Sequence, residues 1–125
     1  MKLSALILAL FISTYVFPQD QYQNGMQKAM SIYSEGKVDE AANLFERIGK
    51  AENDKWLPYY YVAQININKS WRLKDESQLK AQLDKAQEYI NLAKTYSKDN
   101  AEIMVLQAHL YTAWVSFDGQ RYGMQ

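Results

Sequence analysis

Residues 33–45 read Tyr33-Ser34-Glu35-Gly36-Lys37-Val38-Asp39-Glu40-Ala41-Ala42-Asn43-Leu44-Phe45, and this stretch decides the fold. Two helical periodicities meet at Gly36. Upstream, Tyr22, Met26, Ala29 and Tyr33 recur at three- and four-residue steps, the spacing of one helix face. Downstream, Val38, Ala41, Phe45 and Ile48 do the same, and Gly49 is expected to end that helix. Ala41 lets two helices approach closely, and Phe45, one turn on, fills the gap beside it. Ala29 is the small residue of the preceding helix.

The same periodicity continues outward. Pro58 suits the first turn of a third helix, where its missing N–H costs nothing, and Tyr59, Val62, Ala63, Asn66 and Ile67 share one face. Asp75 is an amino cap for a fourth helix carrying Leu79, Leu83, Ala86, Ile90 and Ala93. Ser97-Lys98-Asp99-Asn100 breaks it, and a fifth helix runs from Ala101 to Phe117. The tail DGQRYGMQ is read as ending without another helix. Alternating strand patterns with hairpin dipeptides are missing. The expectation is an all-α domain of about five helices.

The fifth helix is apolar on two sides. One stripe is Ala101, Met104, Ala108, Tyr111 and Val115; the other is Ile103, Leu106, Leu110, Trp114 and Phe117. Such a helix expects partners on both sides. The stripe of Leu110, Trp114 and Phe117 is read as the outer one. A missing sixth helix or another chain, including self-association through this last helix, would cover it.

At the other end, MKLSALILALFISTYVFP places Lys2 before a charge-free run from Leu3 to Phe17, closed by Pro18. A run of this length fits a secretory signal better than a membrane span. No A-x-A triplet precedes Gln19, so residues 1–19 are either a cleaved signal peptide or an amino-terminal anchor, with a domain over 20–125. Export, to a periplasm or outside the cell, is expected in both cases, and any membrane contact would run through this segment. The whole chain carries 14 basic and 14 acidic residues in 125. That balance lacks the electrostatic footprint of a nucleic-acid binder. With no cysteine and one histidine, thiolate metal sites, disulfide scaffolds and cysteine nucleophiles are excluded, and no cofactor motif appears. Neither a nucleophile–base spacing nor a Gly-rich phosphate loop is present, so no enzyme is expected.

The segment 33–45 resembles the tetratricopeptide (TPR) repeat family, in which a helix ends at a Gly-containing turn and the next presents a small residue, then an aromatic four later. The phasing recurs at Tyr59, Val62 and Ala63, at Ala86, Ile90 and Ala93, and at Met104, Ala108 and Tyr111. The resemblance covers 22–117. It departs from the family in an insertion around Asn68 to Leu79, in the absent proline between repeats, and in a third repeat with only its first helix. It implies an array of antiparallel helix pairs, an α-solenoid, whose first helices line a concave groove. Carried over, the groove positions include Gln23, Met26, Gln27 and Met30, then Tyr60, Tyr61, Gln64 and Asn68, then Glu102, Val105, His109 and Thr112. Its Lys/Asn/Arg clamp for a terminal carboxylate has no counterpart, since Met26, Met30, Tyr61, Glu102 and Leu106 stand there.

The function this implies is an exported adaptor or scaffold holding a protein or peptide partner. Met30, Tyr60, Tyr61, Gln64, His109 and Trp114 are the candidate contact residues. Plain packing between helices competes with contact for Met30 and Tyr60, and a helix-surface role for His109. The alternative function is a structural subunit of an envelope assembly, docking through the C-terminal helix. Trp71, among Lys69, Arg72 and Lys74, is either a membrane or partner contact or folds back over the helix ends. Asn68-Lys69-Ser70 matches a glycosylation sequon.

Overall fold

The computed structural model describes residues 18–123, and among them every regular element is a helix: α1 (Pro18–Ser34), α2 (Val38–Ala51), α3 (Leu57–Ser70), α4 (Glu76–Tyr96), α5 (Ala101–Phe117) and α6 (Gly119–Tyr122). The domain is all-α. The export segment read over residues 1–19 lies, up to Phe17, outside the described residues. Pro18 is the first residue of α1, the place where a proline with its fixed φ starts a helix most easily.

The turn at Gly36 closes α1 by two backbone bonds. Gly36 N–H donates to the Tyr33 carbonyl at 3.0 Å and Lys37 N–H to that of Ile32 at 3.3 Å. Gly36 has φ +81°, so this pairing needs the left-handed residue that glycine supplies at least cost. At the α4–α5 turn Asp99 takes the corresponding conformation, with φ +55°, and Asn100 Oδ1 then caps α5 by accepting from the Glu102 and Ile103 N–H groups. Asp75 caps α4 by accepting from Gln78 N–H at 2.9 Å.

Two expectations at helix ends are corrected. Gly49 does not end α2, which runs on to Ala51. It is buried in the last turn against Tyr59, where a Cβ would lie 2.8 Å from the ring; the glycine admits the aromatic. The tail after Asp118 does form a helix, the single turn α6, because Asp118 Oδ1 accepts from the Gln120 and Arg121 N–H groups. The inserted stretch is mostly helix as well. Asn68 to Ser70 finish α3 and Glu76 to Leu79 begin the long α4, leaving residues 71–75 as the turn.

α3 is the centre of the molecule, in contact with α2, α4 and α5, and most extensively with α4. Ile65 and Ile67 of α3, Leu79, Leu83 and Ile90 of α4, and Phe45 of α2 are enclosed in the core. Ala29, Ala41, Ala63, Ala86 and Ala93 are completely buried, as small residues must be where helices approach closely. The buried Asn66 is fully satisfied: its amide donates to the Val62 carbonyl at 2.7 Å and its oxygen accepts from Gln82 of α4. Tyr89 of α4 donates its hydroxyl to the Glu46 carboxylate of α2, which also accepts from Lys50. That bond and burial push the Tyr89 hydroxyl well above the usual tyrosine range.

Candidate functional site

Three successive tyrosines on α3 go three ways, because 100° separates neighbouring side chains on a helix. Tyr59 points into the core, stacked on Tyr96 with centroids 6.0 Å apart and tilted against Tyr89. Tyr61 stacks on Phe45 at 4.9 Å. Tyr60 lies edge-on to both Trp56, at 5.7 Å, and Tyr61, at 5.4 Å. Tyr60 and Tyr61 are half-buried. Burial, then the Glu102 charge on α5, raises the Tyr60 hydroxyl above its ordinary value.

The remaining candidates spread along the same helices. On α1, Met26 is buried and Met30 exposed, with Gln23 and Gln27 also exposed. Tyr33 ties this helix to α3 by accepting from the Asn68 amide at 3.3 Å, and the Lys55 ammonium sits 5.4 Å from the Tyr22 ring. Gln64 is half-buried on α3, one turn from Tyr60. His109 is exposed on α5 with Glu102, Val105 and Thr112. Trp114 is not part of this grouping. It lines a cleft of about 640 Å³ on the opposite flank of α5, with Leu83, Gln87, Leu110, Tyr111 and Val115. The sequon is unfit for modification as folded, since Ser70 is buried and donates its hydroxyl to the Ile67 carbonyl. Trp71 does not fold back completely; it is half exposed beside Leu73, Leu79 and Phe117.

The two stripes of α5 are present, but the inner and outer assignments are reversed. Ile103, Leu106, Leu110 and Ala113 are buried, with Trp114 and Phe117 packed at the edge of the core. The outer stripe is Met104, Val105, Tyr111 and Val115, which expose 63, 54, 59 and 40% of their surface. The reason is shape and edge chemistry. Branched Ile103, Leu106 and Leu110 fill the seam against α3 and α4, and Gln107 beside them locks to Gln87 of α4 by two reciprocal amide bonds of 2.9 and 2.6 Å. Those bonds fix the rotation of α5. The sequence signal that could have shown this is the phase of Gln107, a polar residue placed to pair with α4 only when the Leu106–Leu110 side faces in.

The site therefore offers non-covalent contact: half-buried aromatics, amides and one carboxylate on one side, and a charge-free apolar stripe on the other. Among the described residues no three metal-ligating side chains come together. No family model matches the chain, and no curated protein or solved structure matches it either.

Proposed function

We propose that the chain is an exported, TPR-like interaction module that holds a protein or peptide segment along the side formed by α1, α3 and α5, with Tyr60 as the anchor. The observation that supports this reading most is the state of Tyr60. It is half-buried and braced edge-on by Trp56 and Tyr61, so little rotamer freedom remains to be lost when a partner covers it. Rigid aromatics of this kind dominate interface energetics for that reason. Met30 adds an adaptable apolar contact, Gln64 and Asn68 add hydrogen-bonding amides, and Glu102 and His109 supply the polar far edge.

The TPR-like reading also draws support from the buried alanines Ala29, Ala41, Ala63, Ala86 and Ala93 and from the glycine turn at Gly36; the phasing expected at Met104, Ala108 and Tyr111 does not hold, because α5 is turned so that all three are exposed. Export rests on the Lys2 and apolar-run pattern, and fractionation of the native cell checks it: recovery with cytosolic markers would contradict it. A second reading, a structural subunit docking through α5, is favoured by the exposed stripe on that helix.

The test is selection of peptides on the wild-type chain, followed by affinity measurement with Tyr60→Ala, Gln64→Ala and the remote Lys80→Ala. The expected result is at least about a tenfold loss for Tyr60→Ala, the scale of an interface anchor, a smaller loss for Gln64→Ala, and no change for Lys80→Ala. Equal affinity in a folded Tyr60→Ala chain contradicts the reading.

A further inference from the structure

Helix α3 opens on aromatic rings set at right angles. Trp56, just before its first residue, and Tyr60, four residues on, share one side of the helix. Their planes cross at 83° with centroids 5.7 Å apart. Tyr61 crosses Tyr60 at 83° as well, at 5.4 Å, and is itself held by the stack on Phe45. An edge-to-face pair leaves a corner bounded by one face of each ring, and ring faces carry the negative side of the aromatic quadrupole. All three side chains keep part of their surface open to solvent. Faces arranged in this way attract a cation.

A carboxylate stands at the same end of the molecule. Ser70 and Trp71 at the close of α3 share a cleft with Ser116 and Phe117 at the close of α5, and the two helices pack against each other. They therefore run parallel, with their first turns together at the opposite end. Tyr60 belongs to the first turn of α3 and Glu102 to that of α5. The Glu102 charge contributes to raising the Tyr60 hydroxyl, the response of a group in the field of an anion. The helix dipole puts about half a positive charge at the start of α5, which the full negative charge of Glu102 outweighs. The groove positions on α1, α3 and α5 hold no lysine or arginine. Lys55, the neighbour of Trp56, is engaged elsewhere, 3.5 Å from the Asp54 carboxylate and 5.4 Å from the Tyr22 ring. It is the chain's own example of a cation held by a ring and a carboxylate together.

We infer that the segment held in the groove presents a lysine or arginine side chain to the corner of Trp56, Tyr60 and Tyr61, with Glu102 as its counter-charge. This rests on the reading of Tyr60 as the anchor and adds the chemical class of the group it receives. A segment with acidic side chains would meet Glu102, and Glu52 and Asp54 on the turn before Trp56, so charge selects against it.

Ethylguanidinium, the end of an arginine side chain, is the probe, and ethylurea is its neutral counterpart of nearly the same shape. Each is titrated into the full-length chain, wild type and Glu102→Gln, while the indole N–H signals of Trp56 and Trp71 are followed by nuclear magnetic resonance. Helicity of the variant is checked first. Trp71, exposed and flanked in sequence by Lys69, Arg72 and Lys74, is the internal control. The expected result is a saturable shift of Trp56 with ethylguanidinium, with a midpoint at least about fivefold higher in Glu102→Gln. Ethylurea should give a linear shift no larger than that of Trp71. Peptides selected on the wild-type chain should share a basic residue, and its exchange for norleucine should weaken binding at least about tenfold. A Trp56 response to ethylguanidinium as linear as that of Trp71, an equal midpoint in Glu102→Gln, or a selected pool without basic residues overturns the inference. Tyr60→Ala separates the two readings. Peptide loss there, with no cation response at Trp56, removes the cation and leaves the anchor; a cation response without peptide loss removes the anchor and keeps the corner as a cation site.

Discussion

α3 and α5 are the two helices with little polar surface in their sequences, and the fold treats them differently. α3 sits between α2, α4 and α5 and buries Tyr59, Val62, Ile65, Asn66 and Ile67 around most of its circumference. α5 is the more apolar of the two yet buries one side alone, through Ile103, Leu106, Leu110 and Ala113. A helix that is apolar all round belongs inside. α3 obeys that rule within a single chain. α5 obeys it only if something else covers Met104, Val105, Tyr111 and Val115. An apolar helix sequence thus carries two meanings, core in one place and contact surface in the other, and the difference lies in how many neighbours the topology supplies.

Mutations sharpen the contrast. The largest effect is expected from Ile67→Ala in α3, which removes an enclosed side chain and should destabilise the domain by about 2–5 kcal/mol in chemical denaturation. Met104→Ala, a comparable truncation on the outer face of α5, should stay within about 0.5 kcal/mol when measured on the dilute monomer. Comparable losses at the two sites would erase the distinction. Next comes Gly49→Ala, which drives a methyl group into the Tyr59 ring and should cost about 1–3 kcal/mol. An unchanged melting curve would mean the α2–α3 seam is looser than described. Asn100→Ala removes the acceptor for two N–H groups at the start of α5 and should cost about 1 kcal/mol, fraying the stripe from the end next to Ala101.

The smallest effect concerns pH. Burial raises the hydroxyls of Tyr59 and Tyr89, and the bond to Glu46 adds to the shift at Tyr89. A raised folded value means the folded chain keeps these protons after the unfolded chain releases its own near pH 10. Their stabilisation is therefore complete below about pH 10 and is lost as the pH rises further. Tyr89→Phe should flatten that alkaline decline relative to the wild type. An equally steep decline in Tyr89→Phe would remove Tyr89 from the explanation.

Much of this was legible in the sequence. The Gly36 turn, Pro58, the Asp75 cap and the inward faces of α2, α3 and α4 follow from spacing, because each rests on local chemistry. What spacing does not contain is rotation about a helix axis. Both stripes of α5 repeat at helical intervals, and only the Gln87–Gln107 pair and the branched residues beside it decide which one faces in. Gly49 carried the opposite lesson, since a glycine in a helical run reads as a stop until the Tyr59 ring is seen against it. The tyrosine triplet could be seen to exceed one face, but the bracing of Tyr60 by Trp56 depends on the turn before α3, which periodicity leaves open.

The claim that α5's outer face is a contact surface meets its most direct test in hydroxyl-radical footprinting of the full-length chain over a range of concentrations. Met104 and Met30 are both exposed and both oxidise readily, so each serves as the other's control. Protection of Met104 and Tyr111 that grows with protein concentration, at a constant rate for Met30, is the predicted result. A Met104 rate that stays constant and parallels that of Met30 from micromolar to millimolar protein would contradict it.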